Sequence, residues 1–459
     1  MAERFDLLQR ALQHMLEDKK YATARDILVT MNPSDIAALF ADLEEKQIPL
    51  MFRLLPKEMA AETFVEMEPD AQQLLIQGFS DNELKAVLDE MYVDDAAALV
   101  DEMPANVVKR ILKQADPEMR NTINQILRYP ENSAGSIMTT EYVSLRPEMT
   151  VEEAILRIRR QGVDKETIYT CYVTARDRTL MGLVTVKDLL LAEDDETPVS
   201  EMMLTNLISV TTHTDQEEVA RMLSKYNFLA LPVVDGEDRM VGIVTFDDAM
   251  DIMEDEATED IEIMSGMLPS EKTYLKSSIF ELFKNRIPWL MLLMVSATFT
   301  GLIITAFEGA LAAQVALTAF IPMLMGTGGN SGAQSSVTVI RALSLGELKF
   351  SDIGRVIIKE FGTSILCGIA LGVVCFAKIW LVDGLLMGNE DITLMLNAVV
   401  CLALAVSVVI AKVVGGLLPL AAKALKLDPA VMASPFITTI VDAVSLLVYF
   451  LFARALLGI

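Results

Sequence analysis

Ser434-Pro435-Phe436-Ile437-Thr438-Thr439-Ile440-Val441-Asp442-Ala443-Val444-Ser445 lies near the end of the chain and continues apolar through Tyr449 and Phe452 to Arg454. The run reads as a membrane-spanning helix with one carboxylate inside it. An ionised side chain at the centre of a bilayer helix costs roughly 2.5–3.5 kcal/mol on insertion scales. Such a group persists where it faces a wet cavity or a partner, so Asp442 reads first as a functional residue. The plainer alternative is a protonated or helix-paired structural aspartate.

Working outward, four further apolar runs precede this one. Together they place five spans at 287–307, 311–340, 361–382, 393–417 and 435–457, each with the ~20 residues a bilayer requires. The loops between them alternate in charge. Arg341, Lys349, Arg355 and Lys359 follow the second span, and Lys423 and Lys426 follow the fourth. The opposite loops carry Glu308, Asp383, Glu390 and Asp391. A basic run, Lys272, Lys276, Lys284 and Arg286, stands directly before the first span. The positive-inside rule then expects a cytosolic N-terminus and an outside C-terminus in the cell membrane. On that orientation Asp442 lies seven residues past Pro435, about 10 Å deep at ~1.5 Å per residue. The second span is unusual, because Gly326-Thr327-Gly328-Gly329-Asn330-Ser331-Gly332-Ala333-Gln334-Ser335 sits at membrane depth. Small residues permit close helix packing. Here they converge with an Asn and a Gln, as the wall of a polar cavity would.

Charge separates the rest of the chain from these spans. From Ile287 onward there are nine basic and nine acidic residues, so the net charge of −26 lies entirely in the first 286. An acidic soluble part excludes the basic footprint of a nucleic-acid binder and suits metal cations. Four cysteines without a CxxC and two histidines, His14 and His213, exclude a disulfide framework and the usual zinc ligand sets. The N-terminus has no apolar h-region, so the soluble part is expected in the cytosol.

That soluble part divides further. Residues 1–130 read as an acidic helical domain with a loose repeat, its units opening at Met31-Asn32-Pro33, Met67-Glu68-Pro69 and Met91-Tyr92-Val93. Pro and Asp suit the first turn of each following helix. Asp94 and Asp95, at one such start, are candidates for a metal or a partner. Residues 131–250 contain a duplicated module. Met181-Gly182-Leu183-Val184-Thr185-Val186-Lys187-Asp188 repeats as Val241-Gly242-Ile243-Val244-Thr245-Phe246-Asp247-Asp248. Each copy reads strand-helix-strand-strand-helix. Around the second copy, Asp247, Asp248, Asp251, Glu254, Asp255 and Glu256 repel one another unless a cation intervenes, and a hard divalent ion with oxygen ligands would relieve this. Residues 251–286 form an acidic connecting helix and a juxtamembrane segment, and 287–459 the all-α membrane domain.

The duplicated module resembles a CBS-domain pair, a resemblance that puts the ribose of an adenine nucleotide such as ATP on Asp188, beside Lys187. The whole chain resembles the MgtE family of magnesium channels. The Gly326–Ser335 motif carries this most specifically, followed by Asp428-Pro429-Ala430 with Thr438-Thr439-Ile440-Val441-Asp442, then by Asp215–Arg221 and Glu256–Asp260. The resemblance implies no enzyme activity but a homodimer in the lipid bilayer with a central pore, shut by cytosolic Mg²⁺. It implies Asp442 as the selectivity aspartate holding a largely hydrated Mg²⁺, with Asn330, Gly328, Gly329, Ser434 and Thr438 along the ion path. Sensor residues carried over are Glu62, Asp94, Glu217, Asp248, Asp251, Glu256, Glu259, Asp260 and Asp428. Asn227, Ser445 and Lys412 depart from the family pattern as the resemblance presents it. The rival readings are a coupled carrier for Co²⁺ or Mn²⁺ and a CBS-regulated membrane receptor without transport.

Overall fold

The computed structural model describes residues 2–270, 274–275, 277–388 and 392–458. The chain forms two compact units, 1–253 and 254–459. The basic residues Lys272 and Lys276 and the acidic Glu390 and Asp391 lie outside the described residues.

The first unit begins with ten short helices, from Ala2–Glu17 to Pro117–Ile126. Pro33, Pro69 and Pro117 each occupy the first turn of a helix, where a missing N–H costs nothing. The repeat units thus open helices at Pro33–Ala41, Pro69–Gly78 and Val93–Glu102. Their apolar faces meet in one core that includes Phe40, Phe64, Leu75 and Leu99. Ser80 and Glu83 close a reciprocal capping box on Asp81–Leu88, and Glu83 also accepts from Arg53 at 2.7 Å. These bonds hold its carboxyl down at about 2.

Two copies of one α/β module follow. β1 (Tyr142–Leu145), β2 (Thr167–Thr174) and β3 (Leu180–Thr185) form one sheet in that order, β1 parallel and β3 antiparallel to β2. β4 (Val210–Thr211), β5 (Ala230–Val234) and β6 (Met240–Thr245) repeat the arrangement. The crossover helices are Val151–Gln161 and Gln216–Tyr226. The second ends at Asn227 in the left-handed region, φ 54°, which suits Asn as a helix C-cap.

The acidic connecting helix runs Phe246–Met264, starting five residues earlier than the charge pattern alone suggests. Thr245 ends β6 and passes directly into it. It stops where Gly266 adopts φ +72°, with the Trp289 ring against its Cα. In the second unit the long helices are Ile279–Ala306, Ile321–Ser344, Ile353–Lys378, Leu394–Ala424 and Ser434–Leu457. Among the described residues four stretches are both long and apolar enough to cross a membrane: Ile279–Ala306, Phe350–Leu386, Leu394–Ala424 and Pro429–Leu457. The second long helix has the length, at 24 residues, but its Gly, Thr, Asn and Ser content sets it apart from those four. It also begins ten residues later than the sequence pattern places it. A short helix, Glu308–Ala313, and a 3₁₀ segment, Val315–Phe320, intervene, and Pro322 initiates the main helix.

Candidate functional site

Asp442 is half-buried on the last helix, and its Oδ1 is buried without a hydrogen-bond partner. The glycines of the second long helix make room for it. A Cβ at Gly329 would stand 2.8 Å from Thr438 Cγ2 and 3.4 Å from Asp442 Oδ1. At Gly328 it would stand 2.6 Å from Ser445 Oγ, which is itself buried and unpartnered. Gly332 packs against Ile437 and Val441, and Gly415 of the fourth long helix lies on the Gly332 carbonyl. The small-residue motif is therefore the surface onto which the Asp442 helix docks. An orphaned carboxylate oxygen inside an apolar bundle is costly unless something polar meets it.

Of the residues expected along an ion path, Gly328, Gly329, Thr438 and Asp442 come together. Asn330 is exposed on the chain's own surface. The side chain of Ser434 lies outside the described residues. Polar ties brace the same region. Ser335 Oγ donates to Glu360 Oε2 at 2.6 Å, Ser336 Oγ to the Met432 carbonyl at 2.7 Å, and buried Lys412 Nζ to Gln334 Oε1 at 3.5 Å.

The carboxylates expected to sense ions fall into two groups. In the first unit, Asp94 at the start of Val93–Glu102 lies within the field of Asp248 at the start of the connecting helix. Burial, then Asp95, Asp248 and Glu166, push the Asp94 carboxyl well above its ordinary range, and its Oδ1 has no partner. Asp95 is raised to about 6, by burial and then by Asp248 and Glu66. Glu166 is raised to about 8, by burial and then by Asp248 and Asp95. Asp248 is raised by burial, opposed by the Thr245 hydroxyl that donates to it. Glu62 is exposed beside the same cluster, where it acts on the Tyr92 phenol after burial, Glu166 and Glu141. Asp251 adds charge to Asp248. Glu217 pairs with Arg221 of its own helix at 3.4 Å.

In the second unit, Glu256, Glu259 and Asp260 of the connecting helix share their field with Asp428. Glu259 is raised by burial, then by Glu256 and Asp428. Asp260 is raised by burial, although Ser344 donates to it at 3.1 Å. Asp428 Oδ1 accepts from the Ala430 N–H at 2.8 Å.

Among the described residues no three Asp, Glu, His or Cys side chains converge closely enough to ligate one metal ion. Carboxylates that are crowded but not in direct ligating array fit an ion that keeps part of its water shell, as Mg²⁺ does. Sequence reasoning missed Glu166, which follows Lys165 in the turn before β2, where neither helical nor strand periodicity marks it. The nucleotide candidates Lys187 and Asp188 are exposed, and Asp188 caps its own helix through Thr185.

A multi-pass membrane part with a carboxylate set into a small-residue wall, joined to acidic helical and α/β domains, is the architecture of a cation transporter. The comparisons agree. A divalent cation transporter model, MgtE, matches residues 321–452, an MgtE intracellular N domain 31–132, and CBS domains 134–195 and 199–255. The magnesium transporter MgtE of Thermus thermophilus is 37% identical over 451 residues, 97% of this chain and 98% of that protein. Its counterpart from Bacillus subtilis is 33% identical over 96% of this chain and 95% of its own length. The chain belongs to the MgtE family, a family of transporters rather than enzymes. Of solved structures, the cytosolic domain of the Mg²⁺ channel MgtE in complex with ATP is 38% identical, with TM-score 0.51. It covers 53% of this chain and 99% of its own. The soluble part of a magnesium transporter is 29% identical, also at 0.51, over 55% and 99%.

Proposed function

We propose that this chain is a Mg²⁺-selective channel that imports magnesium and is shut by cytosolic Mg²⁺. The observation that carries the reading is the Asp442 carboxylate, held with an unpartnered oxygen against Gly329 and Thr438. Two copies related by a two-fold axis bring two such carboxylates to one pore. There they hydrogen-bond to the water shell of the ion and select by hydrated size and charge. The exposed Asn330 and a first long helix with no fully buried residue suit a homodimer in lipid. With the second long helix counted, five spans put the N-terminus in the cytosol and the C-terminus outside.

Regulation follows from linkage. An ion that binds the closed arrangement better than the open one stabilises it. Mg²⁺ at the Asp94–Asp248–Glu166 cluster and at the Glu259–Asp260–Asp428 cluster relieves carboxylate repulsion and favours closure. Without it the carboxylates repel and the connecting helix moves. ATP is assigned to the Lys187–Asp188 turn, supported by the ATP complex of the related cytosolic domain.

The test is cation flux into liposomes carrying the purified chain, with and without a proton gradient. Mg²⁺ flux indifferent to the gradient is expected. Flux that requires the gradient and prefers Co²⁺ or Mn²⁺ makes the chain a coupled carrier instead, and no flux at all leaves a receptor.

A further inference from the structure

One wall of the first CBS domain carries charge opposite to the rest of the soluble unit. β1 is the edge strand of its sheet. A cavity of about 490 Å³ opens alongside it, lined from β1 and from the helix Val151–Gln161. That size lies within the ~300–1,000 Å³ of small-ligand sites. Five cations line it, Arg146, Arg157, Arg160, Lys165 and Arg178, and among the described residues no carboxylate does. In a chain of net charge −26 this is not a mixed, solvated surface.

Two of the cations are fixed in position, and among the described residues none of the five makes a direct ion pair with a carboxylate. Arg146 is anchored by donating to the carbonyls of Thr174 and Ala175. Arg157 is half-buried, and its Nε is buried without a hydrogen-bond partner. Hydroxyls of Ser144 and Thr174 sit on the same wall, 2.9 Å apart. Five like charges around one cavity repel, and no acidic side chain among its described lining residues offsets them. Arginine forks present paired N–H donors that match phosphate oxygens. The volume exceeds what one phosphate fills and accommodates two or three linked ones.

We propose that this cavity binds a soluble polyphosphate anion, at a site separate from the Lys187–Asp188 turn. Thr174 and Arg178 belong to the hairpin end of the β2–β3 pair, where Thr174 pairs with Leu180. Asp188 follows the opposite end, where Thr170 pairs with Thr185. The proposal stands independently of the transported ion.

Titration calorimetry of the detergent-solubilised full chain, in Mg²⁺-free buffer, tests it with inorganic tripolyphosphate. Saturable binding is expected that weakens with salt. Loss of two charge-assisted contacts in Arg157→Gln/Arg160→Gln should weaken it roughly 10–100-fold, while Lys225→Gln, on the second crossover helix and outside the cavity lining, leaves it unchanged. Adenosine triphosphate added in competition separates the sources of the phosphate chain. Displacement identifies a nucleotide tail, and its absence identifies the unconjugated anion. The exposed Arg160→Gln alone, with an unchanged melting temperature, preserves the test if the double variant misfolds. No saturable binding to the wild type overturns the proposal, as does equal affinity in the Arg160 variant and the wild type.

Discussion

Replacing Glu166 by Gln should stabilise the chelator-treated protein at pH 8 and change it little at pH 5. Burial, then Asp248 and Asp95, raises this carboxyl from 4.5 to about 8. Its folded-state value lies above its unfolded one, so folding takes up a proton between the two. Stability is therefore greatest below about pH 4.5 and falls as pH rises toward 8. The full shift corresponds to at most about 5 kcal/mol. Glu166 is only half-buried, and solvent screening and protonation of its neighbours reduce this to about 2 kcal/mol. For a unit of this size that is roughly 4–8 °C in melting temperature. Gln mimics the protonated carboxyl and removes the penalty, so the variant should melt that much higher at pH 8. The assay is thermal unfolding across pH 5–8 in excess chelator, repeated with saturating Mg²⁺. Magnesium should flatten the wild-type slope, because a cation then replaces the proton. Parallel pH curves for wild type and variant would refute the reasoning.

Other outcomes follow from the same geometry. Gly415→Ala puts a Cβ on the Gly332 carbonyl, where backbone cannot yield cheaply, so it should destabilise the bundle by about 1–3 kcal/mol or more. Gly362→Ala in the third long helix meets nothing within 4 Å and should be close to neutral, as melting in detergent will check. Neutralising Asp248, Asp251 and Glu259 together should leave the channel open at Mg²⁺ concentrations that close the wild type; unchanged closure in patch recordings would remove the sensor assignment. Ser80→Ala should cost about 1 kcal/mol by breaking the capping box, read as a lower urea midpoint of the first unit.

How far the sequence carries depends on how local the signal is. The strand-helix-strand-strand-helix order of both CBS modules follows from period-two and period-3.6 patterning with turn residues between. β4 is only two residues long, as far as its pairing with β5 extends, because that pairing and not propensity decides its length. The late start of the second long helix is set by a 3₁₀ segment packed through Leu317, whose carbonyl accepts from the Tyr449 hydroxyl at 3.0 Å. No local pattern announces such a long-range bond. Asp442 is legible because a charge inside an apolar run is conspicuous by itself. That Gly328 and Gly329 lie against its helix is not, since small residues fit any close packing. Glu166 escaped for the same reason, because its environment is built from Asp95 and Asp248, distant in sequence. The basic cavity on β1 is likewise assembled from five cations spread between Arg146 and Arg178.

The central claim is that the Asp442 carboxylate forms the ion path. The most direct measurement is Mg²⁺ uptake into liposomes by the wild type and by Asp442→Ala, at matched protein incorporation and melting temperature. The account predicts robust uptake by the wild type and uptake near the protein-free background for the variant. Equal flux through both would contradict it.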